Sequence, residues 1–448
     1  MLHARRFLLV TILAATASAQ SAGKTAASLD AATQQKITEL AKKFWKDRPR
    51  TAFDAWDATK RAAIDAEAKA IALPEGGLDA AVKLLWTPSA KLGPRLEEPD
   101  KPRIATPYGD ARLILKSQKG KNKGLVIGLH GGGEGAGDAG EAAGSWMLPD
   151  CVGMYPQGIK LVDDTWNTVH GERFILTLIE IAKCQFQVNP ERIYVMGFSM
   201  GGTGSWFMAG RHPDLFAGAS PCAGVFMAQP KSQLATKEEV QALQHGLIPN
   251  VRNLAMYYYI GLADTNCMPG TFLAAWDRLE GLMKADADGY RNIHFKSYPG
   301  LPHAFPKGEP ESGLKFIAAQ TRQTFPKTLV WEYADAPAPL PDADDKTTRI
   351  QKKLFYWLRC EKPTDNQKLR ATLADNVVTL EGTLSATDFA GVSILLNPKM
   401  IDVKKEVVVM AGGKELRRAS PKPDLATVLE ALDARLDTAM VFDRRIDL

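Results

Sequence analysis

The segment Gly197-Phe198-Ser199-Met200-Gly201 decides the fold, because it joins a strand-like run to a helix-like run through a serine between two glycines. The run before it, residues 192–196, is apolar and β-prone, and the run after it, residues 202–210, can form a helix. A serine at a tight strand-to-helix turn has a strained backbone, and only small residues fit two positions away on either side. The pattern predicts a reactive serine at a sharp turn. The alternative is a glycine-rich turn between two packed elements.

Two later loops offer this serine an acid and a base. Residues 254–260 are typical of a buried strand, and the loop after them carries Asp264. Residues 293–298 predict another strand, and the loop after them carries His303. Asp264 follows Ser199 by 65 positions and His303 follows Asp264 by 39, which each time leaves room for one helix and one strand. The order serine, acid, histidine on successive post-strand loops predicts a catalytic triad on a doubly wound α/β sheet.

Elimination among the seven histidines also favours His303 as the base. The other six are disfavoured by position: His3 in a segment expected to be removed, His130 and His170 before the serine, His212 directly after its helix, His245 in an insertion-like stretch, and His294 inside a strand. Among other acids, Asp277 has a helical setting, and Asp286 and Asp288 are interpreted as ordinary surface residues.

A glycine loop upstream is the next feature of the chain. Residues 125–129 predict a strand that runs into His130-Gly131-Gly132-Gly133-Glu134-Gly135. The tetrahedral intermediate of acyl transfer needs two backbone N–H donors, and the Met200 N–H at the start of a helix is one. We predict Gly132 as the second donor, with Gly133 as the alternative, and a structural role for His130. A phosphate-binding loop is disfavoured because its characteristic endings are missing.

From about residue 101 to residue 324 the chain resembles the α/β-hydrolase superfamily, in particular its secreted esterase branch. That branch includes polyhydroxybutyrate depolymerase-like and feruloyl or acetyl-xylan esterase-like proteins and the phospholipase/carboxylesterase group. The matching stretches are the glycine loop at 130–133, Tyr155-Pro156-Gln157-Gly158, residues 190–202, and the loops of Asp264 and His303. The resemblance implies Ser199 as nucleophile, His303 as base and Asp264 as its orienting acid. It does not specify the substrate.

The first nineteen residues are typical of a secretory signal peptide. A basic stretch, Met1 to Arg6, precedes the apolar residues 7–15 and the small residues Ala17-Ser18-Ala19. The apolar run is too short to span a bilayer. We therefore expect a secreted or periplasmic protein that begins near Gln20, with no membrane span.

Charge and cysteine content narrow the function further. The net charge of +5 becomes +3 without Arg5 and Arg6, and the basic residues are scattered, which disfavours a nucleic-acid partner. Five cysteines allow at most two disulfides, and without a Cys-x-x-Cys pair a zinc site is disfavoured. Cys222 and Cys267, each after a predicted strand, are the first candidates for a bridge, and buried free thiols are the equal alternative. We expect no metal and no organic cofactor.

The pattern divides the chain into a signal peptide (1–19), a helical N-terminal segment (20–100), an α/β-hydrolase catalytic domain (101–325) and a small β-rich C-terminal domain (326–448). In the N-terminal segment, the apolar stripe of Ile37, Leu40 and Phe44 predicts a helical cap or brace on the hydrolase. After residue 326, short β-prone runs, which include residues 354–358 and 392–396, precede a closing helix at 424–435. With a turn at Gly412-Gly413, this pattern resembles a β-sandwich module. Such a module would brace the enzyme or, alternatively, bind a polymer.

Together these features predict an exported serine hydrolase that cleaves carboxylic esters through an acyl-enzyme on Ser199. A serine peptidase of the prolyl oligopeptidase type is one alternative, because it has the same triad order. A catalytically silent polysaccharide-binding protein is the other. The acyl and alcohol specificity and the oligomeric state stay open.

Overall fold

The computed structural model describes residues 29–117, 123–132, 137–158, 166–224, 247–267, 269–309, 311–333, 351–364, 367–382, 389 and 391–448. The predicted signal peptide, Gly133 and His245 lie outside these residues.

An eight-stranded sheet forms the centre of the predicted catalytic region, residues 101–325. Its strands are β1 (Arg103–Thr106), β2 (Gly109–Lys116), β3 (Gly124–Leu129), β4 (Cys151–Pro156), β5 (Ile193–Phe198), β6 (Gly218–Cys222), β7 (Ala255–Gly261) and β8 (Ile293–Tyr298). They lie in the order β1-β2-β4-β3-β5-β6-β7-β8. The six strands from β4 across to β8 are parallel, and β1 and β2 are antiparallel at one edge. The central strands are buried over their whole length, as parallel strands covered on both faces must be.

Ten α-helices in the described residues accompany the sheets. They are α1 (Ala31–Asp47), α2 (Ala58–Ala70), α3 (Leu78–Trp86), α4 (Ser89–Leu92), α5 (Ala139–Ser145), α6 (Val169–Gln185), α7 (Met200–Arg211), α8 (Pro269–Ala285), α9 (Glu311–Ala318) and α10 (Leu425–Arg435). None of these helices is both long and apolar enough to cross a membrane.

Alternation along β3 shows how the helices cover both faces of the large sheet. Leu125 and Ile127 pack in one core together with residues of α6, α7 and α8. Val126, which points the opposite way, packs in a second core with residues of α5 and α9. The predicted fold class, a doubly wound, mostly parallel α/β-hydrolase sheet, is therefore confirmed.

Two smaller sheets form the C-terminal region. Their strands are β9 (Thr328–Glu332), β10 (Leu354–Phe355), β11 (Leu358–Cys360), β12 (Lys368–Ala374), β13 (Val377–Gly382), β14 (Val392–Leu396), β15 (Val407–Ala411), β16 (Lys414–Ala419) and β17 (Arg444–Asp447). One sheet has the order β10-β11-β14-β17 and the other β16-β15-β13-β12-β9. Trp331 of one sheet stacks on Phe355 of the other, with ring centroids 5.3 Å apart, which confirms the sandwich-like packing. The predicted turn has positive φ at Gly412 and Gly413.

The N-terminal helices pack mainly against the C-terminal region. One hydrophobic core unites Phe44 and Trp45 of α1 with Trp357, Leu395 and Leu429 of the C-terminal region. The expected contact with the large-sheet region is also present, since Arg48 pairs with Glu180 of α6 at 2.8 Å, but the shared apolar core lies with the C-terminal region. An apolar stripe indicates which face of a helix is buried but not which surface buries it.

All five cysteines are buried free thiols. The Cys222 thiol lies 3.4 Å from Ser220 Oγ, and the Cys267 thiol lies 4.0 Å from Ser199 Oγ. The bridge between Cys222 and Cys267 is therefore wrong, and the alternative of unpaired thiols is confirmed.

Candidate active site

Ser199 lies at a strained turn between β5 and α7. Its backbone angles are φ 59° and ψ −124°, a conformation that residues with a side chain rarely adopt. A Cβ atom at Gly197 would overlap the Gly201 carbonyl, and one at Gly201 would overlap the Leu129 carbonyl. The expectation that only small residues fit two positions before and after the serine is confirmed, and here even a Cβ atom would overlap the backbone.

Backbone groups suited to an oxyanion surround the serine. Met200 is the first residue of α7, so its N–H has no acceptor within the helix, and no side chain caps this helix start. A Cβ atom at Gly131 would lie 3.3 Å from Ser199 Cβ and 4.0 Å from Ser199 Oγ, so the loop after β3 runs directly beside the serine. Gly132, the next residue, has a φ of 84° that favours glycine. The roles of Met200 and Gly132 as oxyanion donors remain predictions.

His130 holds this glycine loop in place. Its Nδ1 lies 2.8 Å from the Gly131 carbonyl, and its Nε2 accepts a hydrogen bond from the Gly158 N–H at 3.0 Å. These two contacts require the neutral tautomer with its proton on Nδ1. The His130 carbonyl accepts a further bond from Trp166 Nε1 at 3.0 Å. The predicted structural role of His130 is confirmed.

Asp264 and His303 meet at the same edge of the sheet, because they follow the adjacent parallel strands β7 and β8. Nδ1 of His303 donates to Asp264 Oδ2 at 2.7 Å. The other carboxylate oxygen accepts from the N–H groups of Asn266 and Cys267, both at 2.8 Å. The carboxylate is fully buried, so these bonds fix its orientation and that of the imidazole.

The imidazole also lies next to the serine turn. The ring of His303 packs 4.8 Å from the ring of Phe198, the residue before the serine. Within the described chain no hydrogen bond joins Ser199 Oγ to His303, and Ser199 Oγ lies 4.0 Å from Cys267 Sγ. Burial raises the pKa of the Cys267 thiol to about 12, so this neighbour is uncharged at neutral pH. Long serine–histidine distances are common in sites without substrate.

Sequence reasoning missed an aromatic cluster beside His303. Phe305 packs against Phe198, with centroids 4.4 Å apart, and against Trp146 at 6.0 Å. Phe305 remains 40% exposed, unlike most phenylalanines of this region. Its position two residues after the predicted base was the only signal in the sequence.

Asp286 is not the ordinary surface residue that its polar turn suggested. Its carboxylate accepts hydrogen bonds from Arg252 and Arg370, at 2.8–2.9 Å. These bonds, first those from Arg252, hold the pKa of Asp286 well below its usual range. Arg370 is 84 positions away, so no local pattern could indicate this pair. Asp288, by contrast, is exposed as expected.

Other polar groups lie outside the candidate site. His212 is buried, and its Nε2 lies 2.6 Å from Glu172 Oε1. It is therefore engaged in a buried pair and is not a candidate for the base. Across the described ranges, no three histidine, cysteine, aspartate or glutamate side chains are grouped so as to hold a metal ion.

The part of the chain that includes the candidate site is similar to a known protein family. Residues 146–307 match a family model described as "Esterase: Putative esterase". The resemblance to α/β-hydrolase esterases is confirmed. The matched segment contains Ser199, Asp264 and His303, begins after the glycine loop and ends before the C-terminal sheets. The match supports a hydrolase of the esterase type. Among curated proteins, none matches the chain.

Several solved structures are similar to the chain at low identity. A thermostable esterase is 18% identical, with 49% of this chain and 62% of that one covered and a TM-score of 0.34. An acetyl xylan esterase from Aspergillus awamori is 15% identical, with coverages of 48% and 97% and a TM-score of 0.37. An acylaminoacyl peptidase from Pyrococcus horikoshii is 14% identical, with coverages of 48% and 39% and a TM-score of 0.35. The first and third matches span less than two thirds of those proteins' own length.

Proposed function

We propose that this protein is a serine hydrolase that cleaves carboxylic esters through an acyl-enzyme on Ser199. The observation that carries the proposal is the strained serine turn, with a glycine loop on one side and a hydrogen-bonded Asp264–His303 pair on the other. Backbone strain of this kind costs about 1–3 kcal/mol and is concentrated at functional sites, which supports a functional role for Ser199.

In the acylation half of the reaction, Nε2 of His303 takes the proton of Ser199 as its oxygen attacks the acyl carbon. The ring bonds Asp264 through its other nitrogen, Nδ1, and within the described chain Nε2 is left without a hydrogen-bond partner. Asp264 fixes the tautomer and stabilises the imidazolium that forms. The negative oxygen of the intermediate accepts hydrogen bonds from the N–H groups of Met200 and Gly132. The intermediate then expels the alcohol, which takes the proton from His303.

In the deacylation half, water replaces the alcohol. His303 takes a proton from the water as its oxygen attacks the acyl carbon, and the second intermediate uses the same two N–H donors. Collapse of that intermediate breaks the bond to Ser199 Oγ, which regains its proton from His303. The carboxylic acid is released. The neutral Cys267 thiol takes no part, since only a thiolate would compete as nucleophile.

Replacement of Ser199 by alanine tests the proposal. We expect Ser199→Ala to lower turnover of acetyl, butyryl, octanoyl and feruloyl esters by several orders of magnitude, to a residual rate due to binding and oxyanion donors. The melting temperature should stay the same or rise slightly, because the change relieves a functional constraint. A fluorophosphonate should label the wild type and not the variant.

Cys267→Ala is the matched control, because the thiol of Cys267 lies 4.0 Å from Ser199 Oγ. This variant should still be labelled and should still cleave the esters. Full activity of Ser199→Ala would contradict the proposal. Release of an amino-acid anilide by a protein that leaves all the esters intact would indicate the peptidase instead, and polymer binding without labelling would indicate the silent binding protein.

We also propose that the protein is exported, on the basis of the basic and apolar segments before Ala19. N-terminal sequencing of protein from the medium or periplasm should give a start at or near Gln20. Exported protein that retains residues 7–15 would contradict cleavage and indicate a membrane anchor.

A further inference from the structure

We propose that Phe305, supported by Phe198 and Trp146, forms an aromatic subsite for the alcohol part of the ester. The protein would then favour esters of aromatic alcohols over esters in which the aromatic ring belongs to the acid. This inference rests on the proposed esterase function.

Three other aromatic rings pack against the exposed ring of Phe305. Phe305 lies 4.4 Å from Phe198, 6.0 Å from Trp146 and 6.4 Å from Tyr259, measured between ring centroids. Trp146 and Tyr259 are buried, whereas Phe305 is 40% exposed. A single exposed apolar residue is ordinary on a protein surface. Here, however, three aromatic rings pack against Phe305, and one of them, Phe198, also contacts His303.

Phe198 connects the exposed ring to the catalytic groups. The centroid of its ring lies 4.8 Å from that of His303 and 4.4 Å from that of Phe305. The next residue in the chain is Ser199. A ligand group on Phe305 is therefore separated from the imidazole by one aromatic ring, that of Phe198, which directly precedes the nucleophile in the chain.

The side of the ester that meets Phe305 follows from proton transfer. The imidazole that takes the serine proton must give it to the leaving oxygen, so the alcohol part lies on the imidazole side of the scissile bond. The proposed oxyanion donors lie elsewhere, at the start of α7 and on the glycine loop that runs past Ser199. Phe305 comes two residues after His303 and packs on the same ring, Phe198, as the imidazole. It is thus placed to contact the leaving group.

Aromatic groups gain more from such a surface than alkyl chains of similar size. Ring pairs prefer offset or edge-to-face contacts at the separations already present within this cluster. Loss of one such contact, together with the apolar area it buries, corresponds to about a 10-fold change in kcat/KM.

Two isomeric substrates test the inference, benzyl acetate with its ring on the alcohol and methyl phenylacetate with its ring on the acid. Ethyl acetate serves as the substrate without a ring. The ratio of variant to wild-type kcat/KM is measured for each, because kcat/KM reports the steps up to acylation and the ratio cancels intrinsic reactivity. The variant is Phe305→Leu, which keeps an apolar side chain and removes the ring. Leu273→Ala, at an exposed leucine of α8, is the control.

We expect Phe305→Leu to lower kcat/KM about 10-fold for benzyl acetate and less than about 2-fold for the other two esters. Phe305→Tyr keeps the ring and should keep the wild-type selectivity, whereas a merely structural role of the side chain would give losses that do not distinguish the two isomers. Equal losses on both isomers, or no loss on benzyl acetate, would overturn the inference. If Phe305→Leu unfolds, the selectivity of Phe305→Tyr and of a Phe305→Met variant decides the outcome in the same way.

Failure of the inference and failure of the proposed function are distinguishable. A wild type that cleaves none of the three esters and resists fluorophosphonate labelling would refute the proposed function. A wild type that cleaves all three, with isomer ratios unchanged in Phe305→Leu, would refute the aromatic subsite alone.

Discussion

The strained backbone of Ser199 depends on two residues that have no side chain. We expect Gly201→Ala to abolish most of the ester hydrolysis and to lower the free energy of unfolding by about 1–3 kcal/mol, because the new methyl group would overlap the Leu129 carbonyl. The obstacle is backbone at the end of a buried strand, so it cannot move aside as a flexible side chain could. Urea unfolding and kcat/KM measure the two effects.

Gly281→Ala is the control for that substitution. Gly281 lies inside α8, where a Cβ atom meets nothing within 4 Å. This variant should keep its activity and gain up to about 1 kcal/mol, since alanine favours helix over glycine. A fully active Gly201→Ala protein would show that the turn tolerates a side chain and that the strain at Ser199 has another origin.

Replacement of Asp264 by asparagine tests whether activity requires the orientation and tautomer of the imidazole, and not only its presence. The amide oxygen of asparagine would accept from the N–H groups of Asn266 and Cys267, which leaves its NH₂ group facing His303 Nδ1. The imidazole would then carry its proton on Nε2 and could not accept the serine proton. We expect kcat to fall by a factor on the order of 10⁴ with little loss of stability. A fall below about 10-fold would contradict the role assigned to Asp264.

Residue types and spacing indicated Ser199, Asp264 and His303, because each follows a strand whose apolar run is visible in the sequence. Phe305 and Cys267 could not be assigned in this way. Their places beside the serine depend on how the loops after β7 and β8 fold back, which no local pattern contains. The interpretation of Asp286 as an ordinary surface residue was wrong for the same reason, since its partner Arg370 lies on β12 of the C-terminal region.

At the scale of elements, buried ion pairs connect the catalytic region to the C-terminal region. Asp214, just after α7, accepts from Lys352 Nζ at 2.7 Å and from Arg435 Nε at 2.9 Å. We expect Asp214→Ala to lower the free energy of unfolding by about 3–5 kcal/mol, because two buried cations lose their counter-ion. The exposed pair of Asp288 and Arg291 is the control, and Asp288→Ala should change stability by less than about 1 kcal/mol.

The contribution of Asp214 should also depend on pH. Burial opposes its ionisation, but Lys352 and Arg435 outweigh burial and hold the pKa of Asp214 below its usual range. A carboxylate with a depressed pKa stabilises the fold above its unfolded pKa, about 3.9, and loses that contribution as the pH falls toward the folded value. The stability difference between wild type and Asp214→Asn, from urea unfolding, should be constant from pH 7 to about 5 and shrink below pH 4. A difference that grows on acidification would contradict the assignment.

Periodicity predicted the helices and strands themselves better than their contacts. The predicted helix at 424–435 is α10, and the run at 392–396 is β14. The run at 354–358 is instead two short strands with a turn between them, where Tyr356 has a positive φ. An aromatic residue gives no sign of a left-handed turn, because such turns favour glycine or asparagine.

At the scale of the whole molecule, the two ends of the described chain share one hydrophobic core. The indole of Trp45 on α1 is fully buried there and donates to the Leu85 carbonyl at 2.6 Å. The same core contains Trp357 and the residues of β14. The N-terminal helices and the C-terminal sheets should therefore unfold together, although they are separated in sequence by the catalytic region.

Trp45→Ala tests this coupling. Loss of the buried indole should cost about 3–5 kcal/mol through the cavity that it leaves. Hydrogen exchange of β14, more than 300 positions away in the chain, should accelerate, whereas exchange of β3 in the catalytic sheet should change little. Phe174→Ala, which removes a buried ring from the core that contains Leu125 of β3, should have the opposite pattern. If Trp45→Ala accelerated exchange in β3 and spared β14, the N-terminal helices would depend on the hydrolase after all, and the shared core would not be the unit that holds them.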